Sequence, residues 1–433
     1  MNVLILSQYY PPEPIPKAAD LARELARRGH AVSVLTGFPH YPFGRLYPGF
    51  RPGLLRRDSQ DDFPVVRSFE YPYHGRSVPG RIANYGSFMI SAILGSLALP
   101  PCEVIYVRHP PLTIGAAAWV IARIRKVPFV YDVQDIWPDS AVLSGLLKEG
   151  WLVRLMRSLE RFVYRKADHL LAITDWGREN LLSKGVPPEK VSILPNWADE
   201  ALFGEVDGPA VSEIRRRQGW GDRFVVTFAG NLGLVQALDT ALRAVQSLEG
   251  SGKVLLALVG EGTDRTRLQE LARNLGLQND VQFLGQKPME EMPAILAASD
   301  ALLVSLKKSE LFRYAIPTKT LAYLASGRPL LVAAEGPAAR LVEEAEAGLV
   351  VPPEDPASLA EAIRTFIAAS SQERDAMGAK GRAYFLAHLS KEKVIRRYET
   401  LLDKVARGNG HFPERPPTSQ GIGLKGGEEQ RIE

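Results

Sequence analysis

"RYAIPTKTLAYLASGRPLL", residues 313–331, lies between two apolar runs, "DALLVSL" (300–306) and "RPLLVAA" (328–334). Both runs are short and continuous, as expected of strands buried on both faces. Between them a helix-sized segment opens near Pro317 and closes at Gly327, which are the residues that start and stop short helices. Strand, helix and strand in that order make the unit of a parallel sheet. Thr318 and Lys319 fall in the first helical turn. Free amides, a hydroxyl and an ammonium there would cradle a phosphate. Lys307, Lys308 and Arg313 add charge just before it, although a solvated basic loop explains those three equally simply.

The same alternation extends outward. "FVVTFAG" (224–230), "VLLALVG" (254–260), "VQFLG" (281–285) and "AGLVVP" (347–352) complete a second half built of strands and helices. The first half repeats it with "NVLILSQ" (2–8), "AVSVLTG" (31–37), "EVIYVR" (103–108), "PFVYDVQ" (128–134), "HLLAIT" (169–174) and "VSILPN" (191–196). Its first helical pattern, "AADLARELARRGH", spaces Leu21 and Leu25 four apart and stops at Gly29. Near residues 199–222 the pattern loosens into Gly, Pro and acidic residues. The fold class is therefore α/β, with two Rossmann-like domains facing a cleft. We place the domains at 1–200 and 201–388, with a helix over 389–407 packing back on the first domain. The tail, 408–433, has no apolar period and reads as disordered.

Composition narrows the function. A chain of 433 residues suits two domains. A net charge of +4 from nearly balanced acids and bases does not suggest a nucleic-acid partner. The single cysteine, Cys102, excludes an internal disulfide and a cysteine-built zinc site. The first apolar run lacks a basic leader and cleavage site, so it reads as a strand in a cytoplasmic protein. "IANYGSFMISAILGSLALPP" (82–101) is marginal for a span of about 20 apolar residues. It reads first as a buried or groove-facing helix, and second as one touching a membrane surface. Arg76, Arg81, Arg123, Arg125 and Lys126 around it would favour an anionic bilayer.

The turns at strand ends carry the chemistry. "SQYYPPEPIPKAAD" follows the first strand with four prolines and no glycine. A dinucleotide needs a glycine-rich turn there, so an NAD-type oxidoreductase is disfavoured. The turn is either a rigid connector or a loop lining an acceptor site. Gly230-Asn231-Leu232-Gly233 and Gly260-Glu261-Gly262 each join a strand to a helix in the second half. Each could face an anion with backbone amides or be a simple connection. No D-x-D or clustered histidine suggests a metal, and no G-x-S-x-G suggests covalent catalysis. His109 in "YVRHPPLTIG" and Asp135 in "YDVQDIWPDS" sit where strands end at the cleft. His109 could be structural, and Asp135 could cap a helix near Pro138.

Taken together, "LARRGHAVSVLTGFPHYP", "VPFVYDVQDIWPDS", "AGNLGLVQALDTAL", "LVGEGTDRTRLQELA", "VQFLGQKPMEEMPAILAASDALLVSL" and "IPTKTLAYLASGRPLL" resemble a retaining glycosyltransferase of the GT-B fold, in the group that includes family 4. The resemblance covers roughly residues 1–405. It is similar in particular to transferases of surface-polysaccharide assembly, of the fucosamine and colanic-acid type. The resemblance implies that the first domain takes the acceptor and the second a nucleotide sugar, UDP-linked or related, as substrate with no cofactor. It implies metal independence, and attack on the same face of the sugar as the departing phosphate. The acceptor would be a glycan or polyprenyl-linked sugar at the inner face of the membrane, with peripheral membrane contact.

The expected roles follow. His109 and Asp135 would be the catalytic-side residues of the first domain. Asn231, Gly233, Gln236, Thr318 and Lys319 would hold the diphosphate, with Glu261 and Gly262 toward the base. The family's two glutamates, separated by seven residues, would fall on Tyr314 and Ala322, and both are lost. The family's Arg and Lys of the phosphate turn would fall near Asn231 and Gln236. A lost charged partner for the ribose costs about 1.5–3 kcal/mol, and Glu310 could substitute. That loss leaves two rivals: a non-catalytic sugar-nucleotide or glycan-binding scaffold, and a sugar-nucleotide epimerase of the same fold.

Overall fold

The computed structural model describes residues 1–75, 77–143, 145–204, 206–248, 253–313 and 316–408. Tyr314 and nearly all of the tail assigned to 408–433 lie outside the described residues. The first sheet holds β1 (Asn2–Ser7), β2 (Ala31–Gly37), β3 (Leu55–Asp58), β4 (Val65–Ser68), β5 (Val104–Arg108), β6 (Phe129–Val133), β7 (His169–Ala172) and β8 (Val191–Ile193). The second holds β9 (Phe224–Ala229), β10 (Val254–Val259), β11 (Val281–Gly285), β12 (Ala301–Ser305), β13 (Leu330–Ala333) and β14 (Gly348–Val351).

The first sheet runs β3-β4-β2-β1-β5-β6-β7-β8, the second β11-β10-β9-β12-β13-β14. All pairs are parallel except β3 with β4. Every residue from Val3 to Ser7, and the whole of β9, β10, β12 and β13, is buried. That is why these strands read as unbroken apolar runs: helices cover both faces. In each sheet the strand order reverses once, between β1 and β5 and between β9 and β12. Such reversal points open a crevice beyond the carboxyl ends of the strands. The crevices are flanked by the turns after β1 and β5 in one domain and after β9 and β12 in the other.

The chain crosses between domains twice at one place. Ala198 pairs with Ser390 in an isolated bridge, and Lys391 N donates to Ala198 O at 3.1 Å. The helix Ser371–His388 buries Phe385 in the core of the second domain. The next helix, Lys391–Ala406, instead buries Val394, Ile395, Tyr398, Leu401 and Leu402 against Val3, Ile5 and Tyr106 of the first. At about 1.5–3 kcal/mol per buried side chain, this attachment is worth on the order of 10 kcal/mol before ordering costs.

One sequence expectation is corrected here. The segment read first as a buried or groove-facing helix forms Val78–Ser96, and only one face is buried, through Asn84, Phe88, Ala92 and Gly95. Ile82, Ile90, Leu94 and the following Leu97 are 56%, 60%, 61% and 66% exposed. Periodicity misleads because the polar residues do not mark the solvent side: Asn84, Ser87 and Ser91 bond inward to the Tyr71 and Phe69 backbone. Among the described residues, no helix is long and apolar enough to cross a membrane.

Candidate active site

The second domain's turn after β9 is built around helix Thr318–Ser326. Tyr323, buried on that helix, accepts Ala229 N at 2.7 Å and donates to Ala229 O at 3.2 Å. It thereby fixes the last residue of β9 and the turn that follows. Lys319 Nζ donates to Gln236 Oε1 at 2.6 Å and lies 3.6 Å from the centre of the Phe228 ring. The helix N-terminus, the lysine and the β9 turn therefore meet at the reversal point. Burial lowers the Lys319 pKa to about 7, so its charge is held at a cost that an anion would relieve. Gly230 adopts φ 145°, and a Cβ there would sit 3.3 Å from Lys319 Nζ. Pro317 occupies the position just before the helix, with ψ 132°, rather than its first turn. Thr318 is exposed at the helix start and Asn231 is exposed on the turn.

The β10 turn is locked onto the β9 turn. A Cβ on Gly262 would lie 2.3 Å from Leu232 O, and Leu232 N donates to Glu261 O at 2.8 Å. Close backbone packing accounts for Gly262 by itself. The Glu261 carboxylate, expected toward the base, pairs with Arg265 one helical turn on. Gly233 is buried and extended, at φ −111°. Ala322 is half-buried on the helix, and Glu310 is exposed at the start of the turn Glu310–Arg313. Lys308 is engaged by two acids, its N–H donating to Glu354 Oε2 at 2.9 Å and its ammonium 3.5 Å from Glu335.

In the first domain, His109 follows β5 and is 1% exposed. Its backbone N–H donates to Asp132 O at 3.0 Å, but neither ring nitrogen has a hydrogen-bond partner. Burial, with Arg108 and Lys184 adding repulsion, lowers its pKa to about 3. The ring is neutral, and buried polar atoms without partners are rare enough to suggest a ligand. Asp135 lies just past β6, where Oδ1 accepts Ile136 N at 2.7 Å. Its carboxylate thus shapes its own loop, and burial raises its pKa.

The two sides meet. Ile173, Pro195 and Asn196 face Ile316 and Leu321 across a gap of about 10 Å³, no larger than one water needs. The guanidinium of Arg340 lies 5.6 Å from the Trp176 ring. The helix Asp139–Leu143 touches the turn Glu310–Arg313, which brings the loop after Asp135 beside Glu310's element.

A third cluster escaped the sequence reading. Glu13 is buried and accepts three backbone N–H groups, from Tyr10, His40 and Tyr41, at 3.0, 2.9 and 2.8 Å. His40 Nδ1 lies 2.6 Å from the buried Glu70 Oε1. Burial raises Glu70 to about 7. On His40 burial opposes the charge, but Glu70 outweighs it and the pKa rises. The ring of Tyr41 packs against Tyr9 and His74 at 5.3 and 4.7 Å. The signal was scattered over "YPPE", "FPHYP" and "FEYPYH", and only the fold joins them. No group of three or more His, Cys, Asp or Glu that could hold a metal ion occurs among the described residues.

Comparisons with known proteins bear on the family and the fold. Residues 15–197 match the family described as "Glycosyl transferase 4-like domain". Residues 211–384 match "Glycosyl transferases group 1". A putative colanic acid biosynthesis glycosyl transferase, WcaI of Escherichia coli (strain K12), is 27% identical over 77% of this chain and 84% of its own length. A probable glycosyltransferase of Pseudomonas aeruginosa, WbjE, is 30% identical over 54% of this chain and 58% of its own. HepE of Anabaena, solved in complex with UDP, superposes with a TM-score of 0.71 at 19% identity, covering 93% of this chain and 100% of that one. Sucrose-phosphate synthase of Thermosynechococcus elongatus superposes at 0.73 and 18% identity, covering 94% and 99%. At those identities the likeness speaks for the fold alone.

Proposed function

The chain belongs to the GT-B glycosyltransferases, and on that footing we propose that it is a retaining, metal-independent enzyme of surface-polysaccharide assembly. It moves a hexosyl or N-acetylhexosaminyl group from a nucleotide sugar, UDP-linked or related, to a glycan or polyprenyl-linked acceptor. WcaI, named for colanic acid biosynthesis, and the UDP complex of HepE support this choice of acceptor class and donor. The reaction takes place on the cytoplasmic side of the membrane.

In this reading the donor diphosphate lies against the N-terminus of Thr318–Ser326. Helix amides and the Lys319 ammonium meet the charge that develops as the sugar C1–O bond breaks. The acceptor hydroxyl attacks C1 on the same face, and its proton passes to a diphosphate oxygen. No enzyme nucleophile and no metal is required. His109, neutral and unpartnered, gives and takes hydrogen bonds with a sugar hydroxyl. Asp135 sets the loop beside it, and Asn231, Gly233 and Gln236 present the β9 turn to the phosphates.

The observation that carries the proposal is Lys319: a lysine with a depressed pKa, held by Gln236 at the sheet's reversal point. Ala322 favours a second reading, a scaffold that binds sugar nucleotides without turnover, because a carboxylate for the ribose is missing there. Calorimetry with UDP followed by a transfer assay separates them. If Lys319→Ala and His109→Ala both keep wild-type turnover, the site assignment is wrong.

A further inference from the structure

We propose that a cavity on the first domain, between helix Trp151–Lys166 and the segment 184–190, is a second anion site that binds a phosphorylated small molecule. It lies apart from the crevice. The helix leads into β7 and the segment into β8, so the cavity sits at the amino ends of those strands, whereas the crevice lies beyond the carboxyl ends. The cavity measures about 400 Å³, within the range of small-molecule sites and far beyond what one water needs. Its lining carries one sign of charge. Arg161, Arg165, Lys184 and Lys190 line it together with Ser158, and among the described residues no Asp or Glu does. Ser158, Arg161 and Arg165 are spaced three and four apart, so they share one face of the helix. Glu189, the acid of the neighbouring segment, is exposed and outside the cavity.

The fold itself accounts for only part of this charge. Lys184 Nζ lies 2.7 Å from both Asp139 Oδ2 and Glu160 Oε1. Arg157 holds the other oxygen of Asp139 at 3.0 Å, so two acids and two bases balance beneath the cavity. Buried Glu160 also accepts the Tyr164 hydroxyl at 3.0 Å. Lys190 Nζ donates to Ala167 O at 3.2 Å, where it offsets the negative end of the helix dipole. Arg161 and Arg165 have no such role. Both are exposed, and neither makes a hydrogen bond or ion pair among the described residues. Like charges four apart weaken a helix. A phosphate between them reverses that sign, because each guanidinium can grip its oxygens with two N–H groups. Ser158 adds a hydroxyl one turn before. A concave cavity of this size suits a soluble molecule better than the flat face of a bilayer.

Isothermal calorimetry with pyrophosphate tests this on the full chain. Three proteins are compared: wild type, Arg161→Ala with Arg165→Ala, and Lys319→Ala. Both arginines are exposed, so the double variant should keep the wild-type urea midpoint and the wild-type UDP affinity. Wild type should show a pyrophosphate site that persists in Lys319→Ala. The double variant should bind at that site about 100-fold more weakly, roughly tenfold for each guanidinium removed. Absence of wild-type binding overturns the proposal. So does a double variant that binds like wild type, or binding lost in Lys319→Ala alone, which places the anion in the cleft. Flotation on phosphatidylglycerol vesicles that the double variant loses, with no binding of pyrophosphate, assigns the arginines to a bilayer and also overturns it. Calorimetry with pyrophosphate reads no sugar transfer, so failure of the transferase reading would leave its result unchanged.

Discussion

Replacing Lys319 with methionine removes the ammonium and keeps the length and apolar body of the side chain. Hydrogen bonds to charged groups are worth about 1.5–3 kcal/mol, so UDP should bind roughly 10- to 100-fold more weakly to the variant. The pH dependence is the sharper signature. Burial holds the unliganded Lys319 pKa at about 7, and a bound diphosphate must raise it toward the ordinary value of about 10.4. Above pH 7 the site therefore takes up a proton on binding. The wild-type dissociation constant should rise by about tenfold per pH unit from neutrality upward, and the methionine variant should show no such rise. The apo protein follows the opposite trend. A lysine whose folded pKa is depressed leaves the unfolded chain holding the extra proton, so stability grows with pH between about 7 and about 10.4. Isothermal calorimetry with UDP on both proteins, across that range, supplies the comparison. Equal affinities and equal slopes would refute the placement of the diphosphate.

His109→Gln should lower kcat/KM by about 10- to 100-fold through the lost sugar contact. It should also flatten the acid limb of stability: His109 has a folded pKa of about 3, so its stabilising share is lost as pH falls from about 6.5 toward 3. Urea midpoints at neutral and mildly acid pH check the second part, and an unchanged slope would contradict it. Gly262→Ala forces a Cβ to 2.3 Å from Leu232 O and should cost about 1–3 kcal/mol, visible as a lower urea midpoint with weaker UDP binding. Ala322→Glu should tighten UDP by about tenfold if the ribose lies over this helix turn; no gain means that contact is not made here. EDTA should leave turnover unchanged, and a loss restored by added magnesium would show that the leaving group needs a metal.

The strands were legible because β1, β9, β10, β12 and β13 are buried on both faces and so spell themselves as apolar runs. Gly29 and Gly327 marked helix ends for the same local reason. β3 and β4 were missed: "LRRD" carries three charges on an exposed edge and "VVRS" is only four residues long. The helix start proposed to face the donor was readable, since Thr318 and Lys319 follow Pro317 and open the helix Thr318–Ser326. Tyr323 was not, because its role as a brace on Ala229 exists only once β9 and the helix are side by side. Glu13, His40 and Glu70 come from three separate loops, and no spacing links them. Gly262 has a second reason that no spacing shows: a Cβ there would lie 2.3 Å from the Leu232 carbonyl oxygen.

The most direct test is a mass-spectrometric screen of nucleotide sugars against polyprenyl-diphosphate-linked acceptors, with Lys319→Met run alongside. The account predicts an acceptor heavier by one sugar residue with at least one donor, sharply reduced in the variant. UDP binding with no mass gain across the panel would contradict it and leave a scaffold.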